Sequence, residues 1–328
     1  MSEENRSHLG SVALGVPKQE RHGFFYLIQL EASNVQKHRK YVGLLYLAPW
    51  LIGTLVFTIY PFVTSLWYSF TNYDLINKPK FIGLANYIEM FTVDPDFLNS
   101  LKVTIIYTVW TVPIQLAFAL FLAFILNFKL RGINFFRTAY YVPSILGGNV
   151  AVAILWKFLF TKDGLINQMI EFFGGKGVGW LSSSSNAMFV LVILGVWQFG
   201  SSMVIFLSAL QQIPLDLYEA AQVDGAKKWT IFFKITVPMI TPTIFFNLVM
   251  QLNNKLQEFN GPFLITNGGP TKSTYLASMI IYDNAFKNFR MGYASAMSWV
   301  LFIIIAALAL VLFKTSNRWV YYSDGGNN

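Results

Sequence analysis

The apolar residues of this chain are gathered into six long runs, roughly Gly43–Ser69, Val103–Phe128, Thr138–Leu159, Ala187–Leu210, Val237–Leu256 and Gly292–Phe313. A helix needs about 20 predominantly apolar residues to cross a bilayer, and each run supplies them. The pattern predicts an all-α, multi-pass membrane protein with six transmembrane helices. An even number of spans puts both termini on one side. The expected organisation is a tail over residues 1–42, a membrane domain over 43–315 and a second tail over 316–328.

Three of the runs carry helix-breaking residues. Pro61 follows Tyr60 late in the first, Pro113 lies inside the second, and Pro143 with Gly147-Gly148 lies inside the third. Broken helices at membrane depth persist where they are packed in protein or line a cavity, so these positions predict kinks suited to a pore or gate.

Composition agrees with the spans. Of 328 residues, 55% are hydrophobic, 17% aromatic and only 12% charged. A soluble domain carries about 25% charge. With no cysteine there is no thiolate metal site, redox pair or thiol nucleophile, and the three histidines (His8, His22, His38) all precede the first span. No span supplies the cluster of nucleophile, base or metal ligands an enzyme needs. We therefore expect no catalytic residue, no metal and no cofactor on this chain.

The net charge of +8 raises the question of nucleic acid, but its distribution answers it. Fourteen basic residues lie in the N-terminal segment, the 128–137 and 211–236 loops and the C-terminus, against eight in the opposite loops. The positive-inside rule then places both termini in the cytoplasm, with Lys129, Arg131 and Arg137 weighing most. Within the N-terminal tail, Phe24, Phe25, Tyr26, Ile28 and Leu30 followed by Lys37-His38-Arg39-Lys40 suit an amphipathic helix lying on lipid headgroups.

On the opposite side, Phe81–Tyr87 opens a polar-aromatic loop reaching Asp94-Pro95-Asp96. The glycines at 174, 175, 177 and 179 match neither phosphate-loop spacing and are read as a flexible loop. No P-loop occurs elsewhere, so ATP binding by that route is excluded.

The loop after the fourth run carries more information. Pro214 suits a helix start, and Asp216 and Glu219 put negative charge near its positive end. Ala220 and Ala221 give a smooth small-residue face, and Gly225 after Asp224 can take the left-handed conformation that stops the helix. A second helix through Trp229, Phe232 and Phe233 would follow. Such a hairpin can dock in a partner's groove; the plainer alternative is an ordinary interhelical connection.

This stretch resembles the EAA loop of importer-type ABC permeases: Glu219-Ala220-Ala221, then Gly225, Ile235, Val237 and Pro238 at the family's spacing. The one departure is Val237, where that family most often has Leu. Tyr60-Pro61 with Ser69-Phe70, Phe81–Tyr87, and Thr266–Pro270 followed by Ser273-Thr274 are similar to the sugar-importing, maltose-type branch, and the likeness covers most of residues 43–315. It implies a type I ABC importer permease fold in the bacterial plasma (inner) membrane, with a coupling loop at about 211–237. The implied partners are a second homologous permease subunit, an ATPase dimer holding ATP and Mg, an extracytoplasmic solute-binding protein and an oligosaccharide. Glu219, Ala220, Ala221, Asp224 and Gly225 would couple to the ATPase.

In the fifth run, Asn247, Gln251, Asn254 and Glu258 step by four, three and four and predict one polar helical stripe, with Asn253, Lys255 and Gln257 beside it. Polar groups at membrane depth line water-filled paths or bind polar ligands, and carboxamides can pair sugar hydroxyls. Interhelical hydrogen bonding is the alternative. A basic residue at helix centre costs roughly 2.5–3.5 kcal/mol, so Lys255 needs a partner: Glu258 in an internal salt bridge, or a uronate carboxylate on an acidic oligosaccharide. A self-contained secondary transporter of a polar solute remains the competing function class, with Glu258 as its membrane-embedded acid.

Overall fold

The computed structural model describes residues 45–128, 132–146 and 150–321. The expected surface helix at 22–30, the rest of the 1–42 tail, Lys129, Arg131, Gly147-Gly148 and residues 322–328 lie outside the described residues.

The chain divides into two compact units, Met1–Thr64 and Ser65–Asn328. From its first described residue, the first unit is helical, and none of its described residues is buried. It belongs to α1, Leu45–Ser69. Pro61 has no N–H to give the preceding turn, and the helix widens to a π-turn over Leu55–Ile59 in place of the expected break.

In the second unit, α2 (Ala85–Thr92) leads into the 32-residue α3 (Pro95–Leu126). Asp94 caps α3, accepting from the backbone N–H of Asp96 at 2.9 Å and of Phe97 at 3.3 Å, with Pro95 in the first turn. Contrary to the sequence expectation, α3 runs through Pro113 without interruption. Two helices follow, α4 (Ile133–Leu146), which also runs through Pro143, and α5 (Val150–Leu159). A short α6 (Leu165–Phe172) comes next. Then α7 (Ser184–Trp197) and α8 (Gly200–Gln211) form a pair bent by 42°. The hairpin α9 (Leu215–Val223) and α10 (Lys228–Met239) precedes α11 (Thr241–Leu256), and the chain bends by 65° between α10 and α11. Two short helices, α12 (Asn260–Ile265) and α13 (Ala277–Tyr282), lead to α14 (Met291–Ser316).

Among the described residues, α1, α3 and α14 are each long and apolar enough to cross a membrane, and the two bent pairs raise the number to five. The expected third span is divided between α4 and the short apolar α5. Breaks therefore fall at Gln198-Phe199 and Ile240, not at the prolines of the second and third runs.

The core is built around α3. Its small Ala119 and Ala123, fully buried, let α8 approach through Met203, Phe206 and Leu210, with Val112, Leu116 and Leu126 completing the contact. Small residues at helix interfaces permit close packing where lipid removes any hydrophobic drive between helices. One end of α3 meets α13, where Thr104 Oγ1 accepts the Ala277 N–H at 2.8 Å, and its other end meets the start of α11 through Leu122 and Ile240. Accordingly α3 and α11 run antiparallel.

The glycine segment at 174–179 is pinned by Asn167, which is 1% exposed. Its amide donates to the carbonyls of Lys162 and Val178, and its Oδ1 accepts from the Val178 N–H and the Trp180 indole, all at 2.9 Å. Farther along, the Tyr275 phenol is pushed well up by burial and then by its 2.7 Å hydrogen bond to Asp283. Each buried group left unpaired costs about 1–3 kcal/mol. Asn167→Ala should therefore expose residues 161–180 to limited proteolysis while sparing α3, and Asn167→Asp, which keeps both acceptor bonds, should be cut more slowly. Equal protection of Asn167→Ala and wild type would contradict the assignment.

Candidate coupling surface and substrate path

The hairpin after α8 has the geometry its sequence predicts. Pro214 sits just before the first residue of α9, and Asp216 lies in the first turn. At the other end Gly225 adopts φ +75°. The Ala226 N–H bonds the Ala221 carbonyl at 2.9 Å and the Gly225 N–H bonds the Gln222 carbonyl at 3.0 Å, a Schellman stop. Glu219, Ala220, Asp224 and Gly225 are exposed and Ala221 is half-buried. Large apolar side chains surround them: Leu215 is 67% exposed, Val223 88% and Trp229 74%, with Trp229 stacked on Phe233 at 6.1 Å. Tyr218 reaches back to Thr236, oxygen to oxygen 3.2 Å, and Phe232 packs edge-on against Phe124 of α3 at 5.1 Å. The hairpin is thus fixed to the membrane core at its base and open at its tip.

Helix α11 carries two polar faces where the sequence predicted one stripe. Asn247, Gln251 and Lys255, spaced by four, are buried inside the chain. The Asn247 amide bonds the Thr243 carbonyl at 3.1 Å, Gln251 Nε2 donates to Ser202 Oγ at 3.0 Å, and Lys255 Nζ donates to Gln198 Oε1 at 3.0 Å. Asn253, Asn254 and Gln257 lie on the exposed side, with Gln257 Nε2 donating to Asn253 Oδ1 at 2.8 Å. Glu258 belongs to neither row. It follows the helix end, where its carboxylate accepts the Gly261 N–H at 3.2 Å and its carbonyl accepts from Ser278 Oγ. None of the ion pairs among the described residues involves Lys255, so the expected Lys255–Glu258 salt bridge is not formed.

Several elements meet at the break between α7 and α8. A helix end leaves carbonyls without intrahelical partners. The Gln198 carbonyl is served by Gln115 Nε2 of α3 at 3.0 Å and Ser144 Oγ of α4 at 3.1 Å. Ser144 Oγ also accepts the Ser201 N–H at 3.0 Å, so one hydroxyl caps both sides of the break. Gly195 makes room for this cluster: a Cβ there would press on Thr111 and lie 3.0 Å from Tyr107 Oη and 3.6 Å from Lys255 Nζ.

Residues 95–323 match the family described as binding-protein-dependent transport system inner membrane component. This chain belongs to that family. Probable ABC transporter permease protein YesP of Bacillus subtilis (strain 168) is 48% identical over 285 residues, which cover 86% of this chain and 92% of YesP. A probable starch degradation products transport system permease protein, AmyD of Thermoanaerobacterium thermosulfurigenes, is 33% identical over 278 residues, 84% of this chain and 94% of AmyD. In fold, the chain is similar to one from a bacterial alginate ABC transporter solved in complex with alginate pentasaccharide-bound periplasmic protein, with TM-score 0.75 and 22% identity over 86% of this chain and 96% of that one. That likeness shows the type I importer architecture.

Membership makes the chain a multi-pass permease subunit of an ABC transporter, with ATP hydrolysis on a separate chain. The self-contained secondary transporter falls away. The reading of the sequence missed Gln198, Ser202, Gln115, Ser144 and Tyr107. The signal was present on α3, where Tyr107, Thr111 and Gln115 repeat every four residues and mirror Asn247, Gln251 and Lys255 on α11.

No heavy atom lies within 4 Å of the position a Cβ would take at Gly225, so substitution there tests backbone strain without a clash. A non-glycine residue in the left-handed region costs roughly 1–2 kcal/mol, least for Asn and most for β-branched residues. In the assembled transporter, stimulated ATP hydrolysis should therefore fall in the order Gly225→Asn, Gly225→Ala, Gly225→Val. Equal activity of all three would show that this turn plays no part in coupling.

Proposed function

We propose that this permease passes an oligosaccharide, delivered by an extracytoplasmic binding protein, across the bacterial plasma membrane by alternating access. It does so paired with a second homologous permease on an ATPase dimer. The observation that carries the substrate class is the exposed carboxamide row Asn253, Asn254 and Gln257 at membrane depth. A polar row in a bilayer needs water, a ligand or a partner subunit to satisfy it. Carboxamides offer donors and acceptors together, which suits the hydroxyls of a sugar. The name of AmyD, a permease for starch degradation products, points the same way. The excess of basic residues in the loops supports a cytoplasmic position for both termini and the hairpin. There Glu219, Ala220, Ala221, Asp224 and Gly225 would enter a groove on the ATPase, with the exposed Leu215 and Trp229 beside them. The six-helix domain then spans 43–315 between two cytoplasmic tails.

A second reading, an acidic oligosaccharide, rests on Lys255. The residue is 2% exposed and its ammonium donates to a neutral amide, and no ion pair among the described residues includes it. A uronate could supply one.

Reconstituted complex, with ATP enclosed and the binding protein outside, tests both. Asn254→Leu should lower oligosaccharide uptake several-fold without lowering the amount of assembled complex; unchanged uptake would remove the carboxamide row from the path. A charge-assisted hydrogen bond contributes roughly 1.5–3 kcal/mol, so Lys255→Met should reduce the ratio of uronate-containing to neutral oligosaccharide uptake about ten- to hundred-fold. An unchanged ratio excludes the acidic reading and leaves the neutral one standing.

A further inference from the structure

The arms entering and leaving the coupling hairpin are α8 and α11, and two hydrogen bonds tie α11 to α8 and to the break from which α8 starts. Lys255 Nζ meets Gln198 Oε1 at 3.0 Å, and one turn away Gln251 Nε2 meets Ser202 Oγ at 3.0 Å. All four residues sit at or beside the break where α7 and α8 bend by 42°. We propose that Gln198–Lys255 and Ser202–Gln251 form a two-rung clamp that makes both arms of the coupling hairpin move as one body.

The geometry favours a clamp over incidental packing. From the break, the 12 residues of α8 form a lever that ends three residues before α9. At 1.5 Å per residue that lever is about 18 Å long, so a small change of angle at Gln198 becomes a displacement of the coupling helix. On the other side, α11 starts just after α10 and returns to the same depth at Lys255. Push the tip without the rungs, and α8 and α11 can separate. With them, the load is shared at the break, where the Gln198 carbonyl is already tied to α3 by Gln115 and to α4 by Ser144. Gln198 and Ser202 are positioning residues in this scheme, acting through the helices they hold. The clamp is independent of cargo and holds whether the sugar is acidic or neutral.

Replacing both members of a rung by apolar groups removes the donor and the acceptor of that bond together, so neither is left buried without the other. The chain contains no cysteine, so introduced thiols are the only ones on it, and the partner subunits are used in cysteine-free form. Spin labels at Ile205 on α8 and Met250 on α11, both exposed, report the separation of the arms in the full complex. Wild type should give one narrow distance, the same without nucleotide and with ATP and vanadate. In Lys255→Met with Gln198→Met, the ratio of joined to separated arms should fall roughly ten- to hundred-fold, and in Gln251→Leu with Ser202→Ala about two- to ten-fold, the ranges for charged and neutral hydrogen bonds. ATP hydrolysis should continue in both. A single unchanged distance in both double variants, or a loss of complex yield with wild-type distances in what assembles, would overturn the clamp and leave the rungs as packing.

Discussion

A polar group inside a bilayer must find its partner within the protein. An unsatisfied backbone group there costs several kcal/mol, and a lysine at helix centre roughly 2.5–3.5 kcal/mol on the insertion scale. This chain meets both demands at one place, by breaking a span at Gln198 and by burying Lys255, in the last turn of α11, beside it. The arrangement of α3, α4, α8 and α11 follows from meeting them. Gln115 and Ser144 cover the Gln198 carbonyl, Gln198 Oε1 takes the ammonium, and Gly195 leaves room for the contacts. At this break the freed Gln198 carbonyl is covered by side chains of two other helices.

The same constraint separates two kinds of polar residue on α11. Asn247, Gln251 and Lys255 are satisfied by this chain alone, whereas Asn253, Asn254 and Gln257 face outward. The outward row is the one exposed on the chain's own surface. Force from the ATPase would reach that row through the hairpin, whose base is held by Tyr218 on Thr236 and Phe232 on Phe124. Under the proposed function, coupling and recognition would share a helix but use different faces of it.

Much of this was legible in the sequence. Five of the six expected spans are present among the described residues, each bent pair taken as one. The hairpin follows from residues whose backbone preferences are local, above all Gly225 and the alanines before it. The break at Gln198-Phe199 was not legible, because no proline marks it, whereas Pro113 is accommodated within α3 and Pro61 follows a π-turn inside α1. That bend depends on side chains from α3 and α4, distant in sequence. The stripe on α11 was misdrawn for a similar reason. A spacing of four, three and four fits one face of an ideal helix, but the helix ends at Leu256, so Glu258 leaves the row and Lys255 takes the place given to Asn254. Periodicity identifies a polar helix; which side faces the core depends on its neighbours.

The division of α11 into two polar faces is tested most directly by thiol accessibility in the assembled transporter. Single cysteines at positions 247, 251, 253, 254 and 257 can be challenged with a water-soluble, membrane-impermeant thiol reagent. Those replacing Asn253, Asn254 and Gln257 should react readily, and those replacing Asn247 and Gln251 should be protected until the complex is denatured. Reaction at 251 as fast as at 254 in the native complex would contradict the account.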